Sequence, residues 1–198
     1  MKMKGLLVGI PLLLIVGGIA ILLWRMYSRQ QAEASYHASL VRSVQIGSDA
    51  FEDNGSIPIE FSCEGEVISP PLKWSSVPEG ARSLVLLVTD DELPTPRLRL
   101  FKIVHWVLFN IPRDVAELPS DATDADFGEL GIVAGRNWSR ETNYYPPCPL
   151  YGRHRYVFRI YALDIDTIQP ETNDRRGVFK AMESHVLAYG ELSGFYER

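Results

Sequence analysis

The sequence predicts a mostly β domain preceded by one N-terminal transmembrane helix. First, residues 5–24 form an uncharged stretch, and a helical bilayer crossing takes about 20 apolar residues. Second, short apolar or alternating runs separated by Gly, Pro, Asn and Asp begin at Val44, a pattern typical of β-rich domains. Third, 198 residues with 46% hydrophobic content leave room for one domain with a sizeable core.

The amino terminus predicts a single-pass membrane protein. Lys2 and Lys4 precede the apolar stretch, so residues 1–4 are expected in the cytoplasm, residues 5–24 in the membrane and the remainder outside the cytoplasm. Residues 25–42 are mostly polar and are interpreted as a stalk. The alternative is a cleaved signal ending near Ala32 to Ala34, which would release a secreted or periplasmic protein.

The domain is expected over residues 43–198, with its strands in five runs. These predicted strands cover residues 43–46, 59–63, 83–89, 102–110 and 155–163. The segment 112–152 is longer than a simple connection and is expected to be a loop that walls a pocket. Residues 175–188 have apolar positions four apart, as in an amphipathic helix.

Charge and cysteine content narrow the possible functions. The formal charge is −5 without a long basic run, which argues against a nucleic-acid-binding surface. Cys63 and Cys148 are the two cysteines, and in an oxidising compartment they could form a disulfide. Two unlinked buried thiols remain the alternative, because sequence separation does not decide between them.

Two histidines and one aspartate are the candidates for chemistry. His105 lies inside a predicted strand, His154 immediately precedes another, and Asp90 immediately follows a third. Such a set could bind a metal ion, act as a catalytic dyad, or form an anion-binding pocket. The sequence has no closely spaced pair of metal ligands and no recognisable motif around a nucleophile, and an anion-binding pocket requires neither. Each histidine could also be an ordinary core residue.

Five sequence blocks in order resemble the phosphatidylethanolamine-binding protein family, in particular its bacterial and archaeal branch. The blocks are SPPLKWSSVPEGARSLVLLVTD, VHWVLFNIP, PPCP, GRHRYVFRIYALD and AMESHVLAYGEL. The resemblance implies a large antiparallel sheet packed on a smaller sheet, with a C-terminal helix. It also implies a small anion-binding pocket lined by Asp90, His105, His154 and Tyr156, with Pro94 in its wall.

Two departures from the family pattern bear on this pocket. Asp91 stands where the family typically has a proline, which predicts additional negative charge near the ligand. Tyr145 and Pro146 stand where relatives are usually glycine-rich, and a proline has no N–H to offer a ligand.

The resulting functional prediction is a membrane-tethered, extracytoplasmic binding protein for a phosphate-bearing or similar anionic ligand of the phospholipid head-group type. Neither a cofactor, a metal nor catalytic turnover is expected. One alternative is a protein-interaction module, acting as a protease inhibitor or signalling modulator through the basic and apolar residues 97–101. The other is a hydrolase that uses His105 and Asp90.

Overall fold

The computed structural model describes residues 6–95 and 98–198, and side chains over residues 14–93 and 101–198. The chain divides into two compact units, residues 1–39 and residues 40–198. The first unit contains helix α1 (Leu6–Ser39). The predicted cytoplasmic residues 1–4 lie outside the described part of the chain.

The predictions of a transmembrane helix and of a single-pass membrane localisation are wrong. Among residues 6–95 and 98–198, no helix has both the length and the apolar character needed to cross a bilayer.

Within the described part of the second unit, the strands form two sheets. The three-stranded sheet has the order β1-β3-β6, and the six-stranded sheet has the order β2-β9-β8-β4-β5-β7. The strands are β1 (Gln45–Gly47), β2 (Gly55–Ser56), β3 (Leu72–Ser75), β4 (Ser83–Thr95), β5 (Leu98–Pro112), β6 (Glu117–Leu118), β7 (Val133–Ala134), β8 (Arg153–Leu163) and β9 (Val186–Glu197).

Alternating side chains on the central strands build a core on each face of the large sheet. Along β4, Leu84 and Leu86 belong to the cluster that also contains Trp74 of the small sheet. Val85 and Leu87 point the other way and pack with Val178 and Met182. Successive strand residues face opposite sides, so one apolar run supplies both cores.

The predicted C-terminal helix is shorter than its apolar pattern suggests. Helix α3 covers Arg175–Met182, and the Asp174 side chain caps it by accepting the Gly177 N–H at 2.9 Å. Residues 186–188, predicted as the last helical turn, instead begin β9, which pairs with β8 along nearly its whole length. Pairing with a distant strand therefore replaced a local helical pattern.

Two other segments have a different secondary structure from the one predicted. Residues 59–63 were expected to form a strand, but Ile59–Phe61 is a 3₁₀ helix. The segment 112–152, expected as one loop, contains β6, helix α2 (Asp124–Leu130) and β7. Its last part, from Tyr145 onward, lies beside the candidate site.

Candidate functional site

The structure brings Asp90, His105, His154 and Tyr156 together at one end of the large sheet. They lie on the adjacent strands β8, β4 and β5, with Asp90 opposite Tyr156 on one side and opposite Ile103 on the other. All four residues are buried, none more than 3% exposed. Residues distant in sequence thus form one compact set because their strands are neighbours in the sheet.

Asp90 and His154 form a buried hydrogen-bonded pair. His154 Nδ1 lies 2.7 Å from Asp90 Oδ2, and the Glu92 N–H donates to Asp90 Oδ1 at 2.8 Å. Burial raises the pKa of Asp90, and the hydrogen bonds from His154 and Glu92 oppose this increase. Because Nδ1 is engaged by Asp90, the imidazole is held in one orientation.

A β-bulge directs His105 toward the same site. Val88 is opposite Trp106 and Thr89 is opposite Val104, so His105 has no counterpart in β4. A bulged residue of this kind changes the direction in which the strand presents its side chains. Trp106, the next residue, belongs to the cluster between the two sheets, while Val104 packs against the opposite cluster.

The backbone of Tyr145 forms two hydrogen bonds with His105, one with its backbone and one with its ring. The Tyr145 N–H donates to the His105 carbonyl at 2.8 Å, and the Tyr145 carbonyl lies 2.6 Å from His105 Nδ1. The His105 ring also meets the Tyr156 ring edge-on, with centroids 5.0 Å apart. The segment in which relatives were expected to be glycine-rich therefore serves here to orient a histidine.

These residues lie at the buried end of a cavity of about 500 Å³. Its other walls are mainly apolar, and Leu150 and Tyr151 form an exposed rim, with 81% and 88% of their surface accessible. The apolar wall residues are Leu93, Phe101, Ile103, Pro149 and Leu150. Pockets of this size with a few convergent polar groups typically hold small molecules.

A disulfide joins the cavity wall to a distant segment. Cys63 and Cys148 are bonded, with their Cα atoms 5.4 Å apart, and the Cys63 N–H donates to the Pro147 carbonyl at 3.1 Å. Cys148 itself lines the cavity. Because its sulfur is bonded to Cys63, Cys148 does not present a free thiol to the site.

The additional negative charge expected from Asp91 does not face the cavity. Asp91 follows Asp90 along β4 and points to the opposite side of the sheet, where Lys102 and Arg159 lie 3.4 Å from its carboxylate oxygens. Burial alone would raise the pKa of Asp91, but these cations lower it to about 2. Arg159 is paired in turn with Glu191 at 2.8 Å, so the charge is neutralised locally.

Two predictions concern residues whose side chains lie outside the described part of the chain, wholly or in part. The side chain of Pro94, expected in the wall, lies outside the described residues, as do the side chains of residues 97–100 of the predicted interaction loop. Phe101, the last residue of that loop, is 41% exposed and lines the cavity. In the described part of the chain, no group of three or more His, Cys, Asp or Glu residues could hold a metal ion.

Several wall residues were missed by sequence reasoning. Ile103 is two positions from His105 and shares its face, so strand alternation could have identified it. Leu150 and Tyr151 carry no such local signal, because they reach the cavity through the turn before β8. Leu93 lies in β4 beyond a register shift that follows Asp90, so simple alternation does not place it.

Comparison with known proteins identifies the family. The family model described as phosphatidylethanolamine-binding protein matches residues 47–197. A "UPF0098 protein" of Methanothermobacter thermautotrophicus is 42% identical over 157 residues, which are 78% of this chain and 99% of that protein. A "UPF0098 protein" of Chlamydia trachomatis is 38% identical over 156 residues, again 78% of this chain and 99% of the relative.

Solved structures agree with this assignment. A phosphatidylethanolamine-binding protein homologue from Chlamydia trachomatis is 37% identical with a TM-score of 0.70, covering 79% of this chain and 99% of its own. E. coli YbcL is 31% identical with a TM-score of 0.69 and the same coverage. Because the family model matches residues 47–197 and these relatives are more than 30% identical over nearly their whole length, the chain belongs to the phosphatidylethanolamine-binding protein family.

Proposed function

We propose that this protein binds a small ligand with a phosphate or similar anionic group in the cavity at the end of the large sheet, where β4, β5 and β8 contribute its lining. The observation that carries the proposal is the buried Asp90–His154 pair at the closed end of an otherwise apolar cavity. A desolvated, fixed imidazole beside a carboxylate is far more often found at binding sites than on an ordinary protein surface.

The hydrogen-bonding groups support an anionic ligand. When His154 is protonated, Nδ1–H stays on Asp90 and Nε2–H is available to a ligand oxygen. Tyr156 contributes a hydroxyl whose pKa is raised, first by burial and then by the charge of Asp90, so the group keeps its proton. Both groups can donate to the same anion.

The apolar walls support a ligand with an organic part. Leu93, Phe101 and Ile103 can cover carbon atoms next to the anionic group. The family takes its name from phosphatidylethanolamine, whose head group carries a phosphate, and this agrees with the chemistry of the site. Phosphoethanolamine is therefore a suitable first probe.

Calorimetry with phosphoethanolamine on the full chain tests this proposal. His154→Ala should weaken binding by roughly ten- to a hundredfold, because a hydrogen bond to a charged group is lost from a buried site. His185→Ala is the matched control, since His185 pairs with Asp164 at 2.8 Å but lies outside the cavity. If both variants bind like the unmodified protein, the site assignment is wrong.

A further inference from the structure

The contacts of His105 determine which of its nitrogens carries hydrogen. Nδ1 lies 2.6 Å from the Tyr145 carbonyl oxygen, which can only accept, so Nδ1 must be the donor. Complete burial lowers the pKa of His105 to about 4, and the hydrogen bond to Tyr145 only partly opposes this effect. Near neutral pH the ring is therefore uncharged, and Nε2 has a lone pair.

That lone pair has no partner within the described residues. Nε2 of His105 is buried and makes no hydrogen bond there, although the ring lines the ligand cavity. A buried acceptor without a donor is unfavourable, and the cost is removed when a ligand supplies a hydrogen. The atom thus requires a ligand with a donor, in addition to any acceptors that His154 and Tyr156 recognise.

The charged and titratable groups around His105 favour the same kind of ligand. Asp90 faces the cavity from β4, His154 and Tyr156 face it from β8, and Tyr144 and Tyr145 lie on the segment before β8. Asp90 is the carboxylate among these groups and has no hydrogen to offer Nε2 while it is ionised. Its negative charge disfavours a dianion more than a monoanion.

Building on the phosphate pocket proposed above, we propose that Nε2 of His105 accepts a hydrogen bond from the ligand's own P–OH group. The pocket then selects phosphate monoesters in their singly protonated form. Phosphodiesters and sulfate esters of equal charge and similar shape are disfavoured, because they carry no hydrogen on the anionic group. An intact phospholipid head group is a diester, so the favoured ligand is a free monoester.

Three small probes separate these classes by calorimetry on the full chain. Methyl phosphate, dimethyl phosphate and methyl sulfate are all monoanions at about pH 5, below the second pKa of a phosphate monoester at about 6, and His105 is still mostly neutral there. Methyl phosphate alone has a hydrogen on its anionic group. We expect it to bind roughly ten- to a hundredfold more tightly than the other two.

Proton uptake provides a second measurement. At about pH 8 methyl phosphate is a dianion, so its binding should take up about one proton, seen as a dependence of the binding heat on the ionisation enthalpy of the buffer. Methyl sulfate does not titrate in this range and reports any protonation of the protein itself. His105→Phe removes the acceptor while filling its space, and this variant should bind all three probes with similar affinity.

The outcomes distinguish this inference from the proposed function. Equal affinity for the three probes at about pH 5, or no additional proton uptake with methyl phosphate, overturns the role of His105 and leaves the anion pocket standing. Failure of all three probes to bind overturns both. Preference for methyl phosphate that persists in a folded His105→Phe variant also contradicts the inference, because another group would then supply the acceptor.

Discussion

Replacing Cys63 and Cys148 by alanine should lower the free energy of unfolding by about 4 kcal/mol. The bridge spans a sequence separation of 85, and closing an unfolded loop of that length corresponds to about 4 to 5 kcal/mol of chain entropy. Native contacts outside the bridge are largely kept, since the Cys63 N–H still donates to Pro147. The effect should therefore lie mainly in the unfolded state.

Urea denaturation followed by tryptophan fluorescence measures this change. The double variant should have a lower transition midpoint and a steeper dependence on urea, because its unfolded chain is more expanded. The unmodified protein in reductant is the control and should match the variant. Equal stability of the variant and the oxidised protein, within about 0.5 kcal/mol, would refute the loop-closure argument.

Three further substitutions test the fold. Asp91→Asn should lower the free energy of unfolding by about 2 kcal/mol near neutral pH, because folding lowers the pKa of Asp91 from 3.8 to about 2. In urea unfolding this loss should disappear as the pH falls from about 4 to about 2. A loss of stability that persists at low pH would contradict the ion-pair explanation. Asp174→Ala should lower thermal stability by about 1 kcal/mol through loss of the α3 cap, whereas Asp174→Asn, which retains an acceptor, should not. Gly190→Ala should destabilise the folded protein by roughly 1 to 3 kcal/mol, because the added Cβ would lie 2.3 Å from the Val44 carbonyl oxygen. Gly128→Ala is the control, since a Cβ at that position has no atom within 4 Å. Equal melting temperatures for the two variants would contradict the steric argument.

The central strands could be predicted from the sequence because their signal is local. The runs over residues 83–89, 102–110 and 155–163 are rich in β-branched and aromatic residues and correspond to parts of β4, β5 and β8. Placing Asp90 at the end of one run and His154 at the start of another required only this pattern. That the two residues meet was implied by the family resemblance and not by the pattern itself.

Other elements depended on partners that a local pattern does not reveal. Residues 186–188 have apolar spacing compatible with a helix, but hydrogen bonding to β8 places them in β9. The bulge at His105 likewise follows from the register between β4 and β5. A shift of one residue in that register exchanges the two faces of a strand.

Composition and local pattern were thus sufficient for the β-rich class, the central strands and the candidates Asp90, His105 and His154, since each depends on neighbours in sequence. Tertiary structure decided that Cys63 meets Cys148, that Tyr145 orients His105, and that Asp91 lies away from the cavity. These features arise from contacts between segments far apart in the chain. The chemical character of the pocket is accordingly a property of strand register and packing as much as of the residues themselves.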